Sequence, residues 1–398
     1  MDLRFTDEEK AFRQEVRSFM RSEIPAEIRR KLADGQEIER EELVRCQRIL
    51  NAQGWAVPRW PVEWGGQPWT PIQQYIFLEE LQTNSVPQPL QFNCDMVGPV
   101  IARFGSDEQK RRFLPRAANL DDWWCQGFSE PGAGSDLASL RCRAVRDGDH
   151  YIVSGQKTWT TLAQHADWMF TLVRTDPAAK KQEGISFLLI DMKSPGVVVR
   201  PIITVDGRHE VNEVFFDDVK VPVANLVGEE NKGWDYAKFL LGHERTGIAR
   251  IGITKQRLAR VKRIAKATPA GEGTVWDSPA FRARAALAEV ELKALEITQM
   301  RIVSQTAPGG ANNAMASMLK IKGSELQQTA TELLMEAAGP HGIVFMDRLA
   351  ENGSNDPLAE LEWASLATQN YFNTRKVTIF GGSNEIQRNI IAKSLLGL

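Results

Sequence analysis

Apolar residues in the first ~120 positions recur three and four apart, the spacing of helices that bury one face. Phe12, Val16 and Phe19 form one stripe behind Thr6-Asp7-Glu8-Glu9, where Thr6 and Glu9 are placed to cap each other's backbone. Pro25 is expected to close that element. Leu43, Cys46 and Leu50 form a second stripe ending at Gly54, followed by a loop to Gly66 rich in Trp, Pro and Gly. Thr70-Pro71 opens a third helix, with proline at the tolerated first position. Val97, Val100, Ile101 and Phe104 mark a fourth, stopped by Gly105. Ser106 and Gln109 cap a fifth, which Pro115 is expected to end.

From Asp122 to about Gly228 the period changes to two. Asp147-Gly148 sits between Arg141–Arg146 and Tyr151–Val153, a hairpin signal. Further strands are expected at Trp159–Thr161, Trp168–Arg174, Ile185–Ile190, Val197–Ile203 and Glu213–Phe216. From about Asn231 the helical period returns. Ile248, Ile251, Leu258, Val261 and Ile264 line a long helix. Ser278-Pro279 opens another, running to Thr306, and Pro308-Gly309-Gly310 separates it from a third with Met315, Met318, Leu326, Leu333 and Leu334. Gly339-Pro340 ends that one, a fourth precedes Phe380, and Ser383 caps a short last helix. The pattern predicts an α+β multidomain chain: an N-terminal all-α domain (1–121), a central antiparallel β-domain (122–228) and a C-terminal four-helix bundle (229–398).

A length of 398 residues allows two or three such units. The net charge of −2 argues against a nucleic-acid surface, which needs a basic patch. No apolar run reaches the ~20 residues of a membrane span. Met1-Asp2-Leu3-Arg4 has no apolar signal core, so the cytoplasm is the expected compartment. The four cysteines (46, 94, 125, 142) lack metal-ligand spacing and read as free thiols in a reducing environment.

Candidate chemistry centres on Trp124-Cys125-Gln126-Gly127-Phe128-Ser129-Glu130-Pro131-Gly132-Ala133-Gly134-Ser135-Asp136. It starts as a strand and breaks into a glycine-containing loop. Glycines at 132 and 134 are expected to allow positive φ and close approach to a ligand, and successive amides there can form an anion site. A bare GAGS is more often an ordinary loop. The full string is more specific, and it resembles the flavin-binding signature of the acyl-CoA dehydrogenases. Two further strings occur in that family's order: Ser154-Gly155-Gln156-Lys157 with Thr158-Trp159-Thr160-Thr161, and Gly381-Gly382-Ser383-Asn384-Glu385-Ile386-Gln387-Arg388.

The resemblance implies FAD, an acyl-CoA substrate, and α,β-desaturation by removal of an α-proton and transfer of a β-hydride to flavin N5. Electrons would pass to an electron-transfer flavoprotein. It places Gln126, Phe128, Ser129, Gly134 and Ser135 against the flavin or the thioester arm. It puts Trp159 over a flavin face, Thr161 as donor to N5, and backbone around Thr160 at the ring edge. Ser383 and Glu385 match cofactor contacts, although Glu385 brings a negative charge where many members have Gln. Many members carry the catalytic carboxylate at the position of Gly381, which cannot take a proton; its backbone N–H would still serve the thioester oxygen. A second group keeps the base on a bundle helix beside an arginine, and Leu240-Leu241-Gly242-His243-Glu244-Arg245-Thr246 matches that string. Glu244 is therefore the expected base, against the ordinary fate of a helical glutamate, a solvated ion pair. Arg245 is either near bound CoA or a structural ion pair, and His243 reads as structural.

The chain departs from the family in two places. The usual Arg-x-x-Phe-Gly string, whose arginine reaches a neighbouring subunit's FAD, is absent from Lys266–Trp276. The later Gly-rich loop reads Glu336-Ala337-Ala338-Gly339-Pro340-His341-Gly342, and Glu336 would repel a phosphate. This asymmetry points to a heterotetramer with a related subunit, as in bacterial dehydrogenases of dicarboxylyl-CoA and steroid side-chain CoA esters, with a homo-oligomer as the other expectation. An acyl-CoA oxidase or flavin monooxygenase on the same fold, and a subunit that only completes another chain's FAD site, are the alternative functions. The acyl group is not readable from the residues.

Overall fold

The computed structural model describes residues 4–243, 247, 249–305, 313–343 and 362–397. In the N-terminal part, α1 (Asp7–Ser22) begins with the expected reciprocal cap: Glu9 N donates to Thr6 Oγ1 and Thr6 N to the Glu9 carboxylate. Val16 and Met20 carry its buried face. Pro25 does not end α1 but precedes α2 (Ala26–Ala33), a helix absent from the periodicity because only Ile28 on it is buried. Next come α3 (Arg40–Ala52) and α4 (Pro71–Thr83), the latter capped by Thr70 and Gln73. A π-helical turn at Phe92–Val97 leads into α5 (Gly98–Phe104), and α6 (Asp107–Ala118) follows its Ser106–Gln109 cap. Contrary to expectation, α6 runs through Pro115. That residue lacks only its own N–H bond, and its carbonyl still accepts from Asn119 N at 3.1 Å. The chain leaves the helix at Leu120, whose φ of +54° cannot continue it.

The central domain is one sheet of seven strands: β1 (Trp124–Gly127), β2 (Arg143–Asp147), β3 (His150–Thr161), β4 (Trp168–Arg174), β5 (Ile185–Asp191), β6 (Val197–Ile203) and β7 (His209–Pro222). Their order is β1-β4-β2-β3-β7-β6, with β5 also on β4. Pairing is antiparallel apart from β1 on β4 and a single β2–β4 contact at Arg143–Arg174. β4 and β5 are buried on both faces, which explains their largely apolar runs, interrupted within the buried stretch by Thr171 and Ser186. The β2–β3 loop is Gly148-Asp149, one residue later than the dipeptide expected, because the left-handed φ of +61° falls on Gly148.

Helix α7 (Gly233–His243) returns the chain to helical structure against β5 and α5. Then come α8 (Ile251–Ala267), α9 (Pro279–Gln305), α10 (Asn313–Ala338), α11 (Glu362–Thr374) and α12 (Asn384–Ile391). The bundle core joins Leu258 and Val261 of α8, Leu292 and Leu295 of α9, and Leu326 and Leu333 of α10. Met315 and Met318, expected in that stripe, are each 38 % exposed. Ile248, Thr306 and Pro308-Gly309-Gly310 lie outside the described residues.

A buried ionic network locks the N-terminal helices to the bundle. Arg13 donates to Glu79 and Glu80 at 2.8 Å each, and Arg17 reaches both oxygens of Glu80. Lys255 of α8 bridges Glu79 to Glu296 of α9. Burial alone would raise the Glu80 carboxyl, but hydrogen bonds and charge from Arg17 and Arg13 outweigh it, and the group is held below the usual glutamate range. Its stabilisation is thus full above the ordinary value of 4.5 and lost as pH falls below that through the lowered folded value. Glu80→Gln should cost about 3 kcal/mol at neutral pH, because it leaves two guanidinium groups short of a partner. Urea unfolding at pH 7 and at pH 4 checks this: the gap between wild type and variant narrows at the lower pH.

Candidate active site

Two segments singled out in the sequence meet at the end of the sheet. Gln126 lies half-buried on β1 opposite Phe170. The Phe128 ring packs into the aromatic core with Phe170 and Phe187, at 5.8 and 6.3 Å between centroids, so it offers the loop surface only its backbone. The Ser129 carbonyl accepts from Thr158 N at 2.9 Å, joining the loop to β3. Glu130 and Ala133 then exchange two backbone hydrogen bonds of 3.0 Å around Pro131-Gly132. That closed turn removes the need for left-handed glycine: contrary to expectation, neither Gly132 nor Gly134 has positive φ. A Cβ at either glycine would meet nothing within 4 Å, and Ser135 beside them is exposed, so this edge of the loop is open.

The junction is held by an ion pair that the sequence reading had not singled out. Lys157, with no solvent exposure, donates to Glu130 Oε1 at 2.8 Å and to the Phe128 carbonyl at 3.2 Å. Glu130 also accepts from Arg141 N (2.6 Å) and Cys142 N (2.9 Å), so both carboxylate oxygens are satisfied. A buried ammonium and carboxylate with this many partners meet the condition for charge in a protein interior.

Just past Lys157 the strand bulges. From Lys157 to Thr160, three steps on β3 face two on β7, Val214 to Asn212. Trp159 sits in the bulge with φ +58° and 60 % exposure. A bulky side chain in left-handed backbone, with its indole in solvent, costs free energy twice. The next residue, Thr160, has a buried Oγ1 with no hydrogen-bond partner among the described residues. Thr161 is half-buried at the strand end. The exposed indole and the open loop edge make a surface that a planar, polar-edged ligand would cover; the Thr160 hydroxyl is buried and is not part of it.

The stretch that leads into the C-terminal string is tied to the same end of the sheet. Glu210 of β7 accepts from Asn373 Nδ2 at 2.9 Å and pairs with Lys376, while its carbonyl receives Leu162 N at 2.8 Å. Beyond Lys376, Ile379 and Phe380 are exposed, and Gly381 and Gly382 adopt φ of +64° and +77°. Gln387 Nε2 donates to both glycine carbonyls at 3.2 Å. The Gly381 N–H makes no hydrogen bond among the described residues. Ser383 caps α12, its Oγ accepting from Ile386 N at 3.4 Å. The Glu385 carboxyl is exposed and held below the usual range by its own backbone N–H and the Ser383 hydroxyl, so it is a charge at that position. Glu244 and Arg245 lie outside the described residues; α7 leads directly to them in sequence.

Three family domains match the chain end to end: acyl-CoA dehydrogenase N-terminal domain over 6–121, middle domain over 125–219 and C-terminal domain over 231–396. The chain belongs to the acyl-CoA dehydrogenase family. It is 35 % identical to acyl-CoA dehydrogenase IpdE1 of Mycobacterium tuberculosis, with 97 % of each chain covered. The ChsE4-ChsE5 complex of the same organism contains a chain 36 % identical, with a TM-score of 0.82, covering 100 % of this chain and 99 % of that one. The Tcur3481-Tcur3483 steroid acyl-CoA dehydrogenase matches at 31 % identity and TM-score 0.85, again over 100 % and 99 %. As an acyl-CoA dehydrogenase, the chain is a flavoprotein-family oxidoreductase of lipid catabolism. Among the described residues no helix is long and apolar enough to cross a membrane, and no cluster of His, Cys, Asp or Glu fits a metal ion. All four cysteines are free and buried, and burial pushes the Cys46 thiol up to about 12 and Cys142 to about 11, so neither is a reactive thiolate.

Lys157→Met in this acyl-CoA dehydrogenase chain should destabilise by about 3–5 kcal/mol, since it strands the Glu130 carboxylate. Chemical denaturation measures the loss. Hydrogen exchange at the Arg141 and Cys142 amides, which Glu130 holds, should accelerate with it.

Proposed function

We propose that this chain binds FAD at the junction of the 124–136 loop and the Trp159 bulge, and that it desaturates an acyl-CoA between the α- and β-carbons. Trp159 carries the reading: a tryptophan held in a strained bulge with its indole exposed is explained by a ring that stacks on it. The described residues fit a flavin. The Trp159 indole would cover one face, Thr161 would donate at the ring edge, and Ser129, Gly134 and Ser135 would line the open loop. Gln126 would complete that side, and Ser383 with Glu385 would stand near the cofactor from the C-terminal turn. When bound, FAD supplies the acceptor for the hydride that leaves the β-carbon.

The rest of the chemistry falls to this chain's own groups. Glu244 would take the α-proton, leaving the electron pair to form the new double bond. Proximity to substrate and flavin would desolvate its carboxylate and raise its pKa toward a working base. The free Gly381 N–H would donate to the thioester oxygen, where negative charge builds as the proton leaves. Arg245, next to the base, would stand near the CoA. Electrons would then pass to an electron-transfer flavoprotein. Glu244→Gln should slow α-proton exchange of an acyl-CoA in D2O by about 10²–10⁴-fold while FAD content stays unchanged. Exchange at the wild-type rate would remove Glu244 from the mechanism.

A heteromeric assembly is the second part of the proposal. Where the family's phosphate-reaching arginine would fall, residues 269–274 instead make a short β-hairpin, and Lys262 and Lys266 lie 5.7 Å from the Trp276 ring. Glu336 is engaged by Arg284. Residues 269–274 carry no arginine or lysine and Glu336 is itself an acid, so neither position supplies a cation for a neighbour's pyrophosphate, and the related ChsE4-ChsE5 structure is a complex. The chain purified alone should carry FAD below one per subunit, and co-expression with its related partner should restore full occupancy. Stoichiometric, tightly held FAD on a homo-oligomer would contradict this part and leave the chemistry standing.

A further inference from the structure

The downstream border of the bulge depends on one buried amide. Asn212 of β7 has no solvent exposure and stands opposite Thr160 in the register. Its Nδ2 donates to the Thr160 carbonyl at 3.1 Å and to Gln164 Oε1 at 2.7 Å. With both amide hydrogens engaged, its Oδ1 faces His209 Nε2 at 2.7 Å, so that ring nitrogen carries the hydrogen. Gln164 closes the circuit, its Nε2 donating to the His209 carbonyl at 3.3 Å. Each amide orientation is dictated by its neighbour, and flipping Asn212 would set its oxygen against the Thr160 carbonyl.

This circuit sits beside an interruption of the backbone ladder. The extra residue of the bulge interrupts β3–β7 pairing between Lys157 and Thr160. Lys157 anchors the upstream side, and pairing resumes at Thr160 and Asn212. A strained residue such as Trp159 keeps its conformation only when both flanks are held. Leu162, two residues beyond Thr160, also has positive φ (+57°), so local preference does not fix this stretch.

We infer that Asn212 is a positioning residue of the flavin site: through the Thr160 carbonyl it sets where Thr160, Thr161 and the Trp159 indole stand. It acts at one remove, touching neither substrate nor reacting atoms. The inference rests on the flavin reading above. Asn212→Asp keeps the shape but replaces two donors with an acceptor facing the Thr160 carbonyl. In the purified FAD-bearing assembly it should weaken FAD binding roughly tenfold and shift the visible circular dichroism of the bound flavin. Val219→Ala, a cavity in the same strand far from the bulge, is the control: it should lower thermal stability while leaving both flavin readouts as in wild type. Wild-type affinity and dichroism in Asn212→Asp would overturn the inference, as would an equal change in Val219→Ala. If Asn212→Asp does not fold, His209→Ala, which frees only Oδ1, should weaken FAD about threefold with a dichroism shift of the same sign. An unchanged spectrum there would equally overturn it. Failure of the wild-type assembly to bind FAD at all would instead sink the flavin reading itself.

Discussion

A lysine ammonium with no access to water is tolerable only where its partners are fixed, and Lys157 has them: the Glu130 carboxylate and the Phe128 carbonyl. Glu130 in turn takes the amides of Arg141 and Cys142. One pair of charges therefore joins the β1 loop, the entry to β2 and the middle of β3. A buried ion pair contributes little net stability compared with apolar packing, and its value is the geometry it enforces. Here it fixes the distance between the two segments that would enclose a flavin, and it anchors the strand immediately before the bulge at Trp159.

From that anchor the site grows outward. The bulge turns the Trp159 indole into solvent and leaves the Thr160 hydroxyl without a partner, while the Asn212 circuit holds the far side. The bundle reaches the same place through Glu210, which receives Asn373 and Lys376 on its carboxylate and Leu162 on its carbonyl. Those contacts tie the stretch that leads into the Gly381-Gly382 turn to the end of the sheet that carries Trp159. The helical domain is secured separately, by Arg13, Arg17 and Lys255 around Glu79, Glu80 and Glu296. Local strain at the site is thus held by rigid supports on either side.

Much of this was legible in the residues. Thr6, Thr70 and Ser106 marked helix starts because caps are local chemistry, and strands such as Trp168–Arg174 followed from apolar runs bounded by turns. What escaped depends on tertiary partners. Lys157 follows Gln156 in an ordinary strand pattern, and nothing in a linear sequence says that a lysine will meet a glutamate 27 positions earlier inside the core. Asn212 lies just outside the strand expected at Glu213–Phe216, and only the register sets it opposite Thr160. Gly132 and Gly134 were read as left-handed because glycine permits it, whereas the Glu130–Ala133 bonds close the turn without it. Pro115 was read as a helix end, but so close to the terminus its missing donor costs only one bond. The resemblance to the acyl-CoA dehydrogenases was readable from three strings; the proposed sharing of a cofactor site between chains rests on residues that are missing, which carry a weaker signal.

The central claim is that the loop and bulge held by Lys157 and Glu130 form a flavin site at which an acyl-CoA thioester is oxidised. Anaerobic mixing of the FAD-bearing assembly with linear, branched, dicarboxylic and steroid-derived CoA thioesters tests it most directly. The account predicts that at least one class bleaches the flavin's visible band and yields the 2,3-unsaturated thioester in equal amount. A flavin that dithionite reduces but no thioester in the panel bleaches would contradict it.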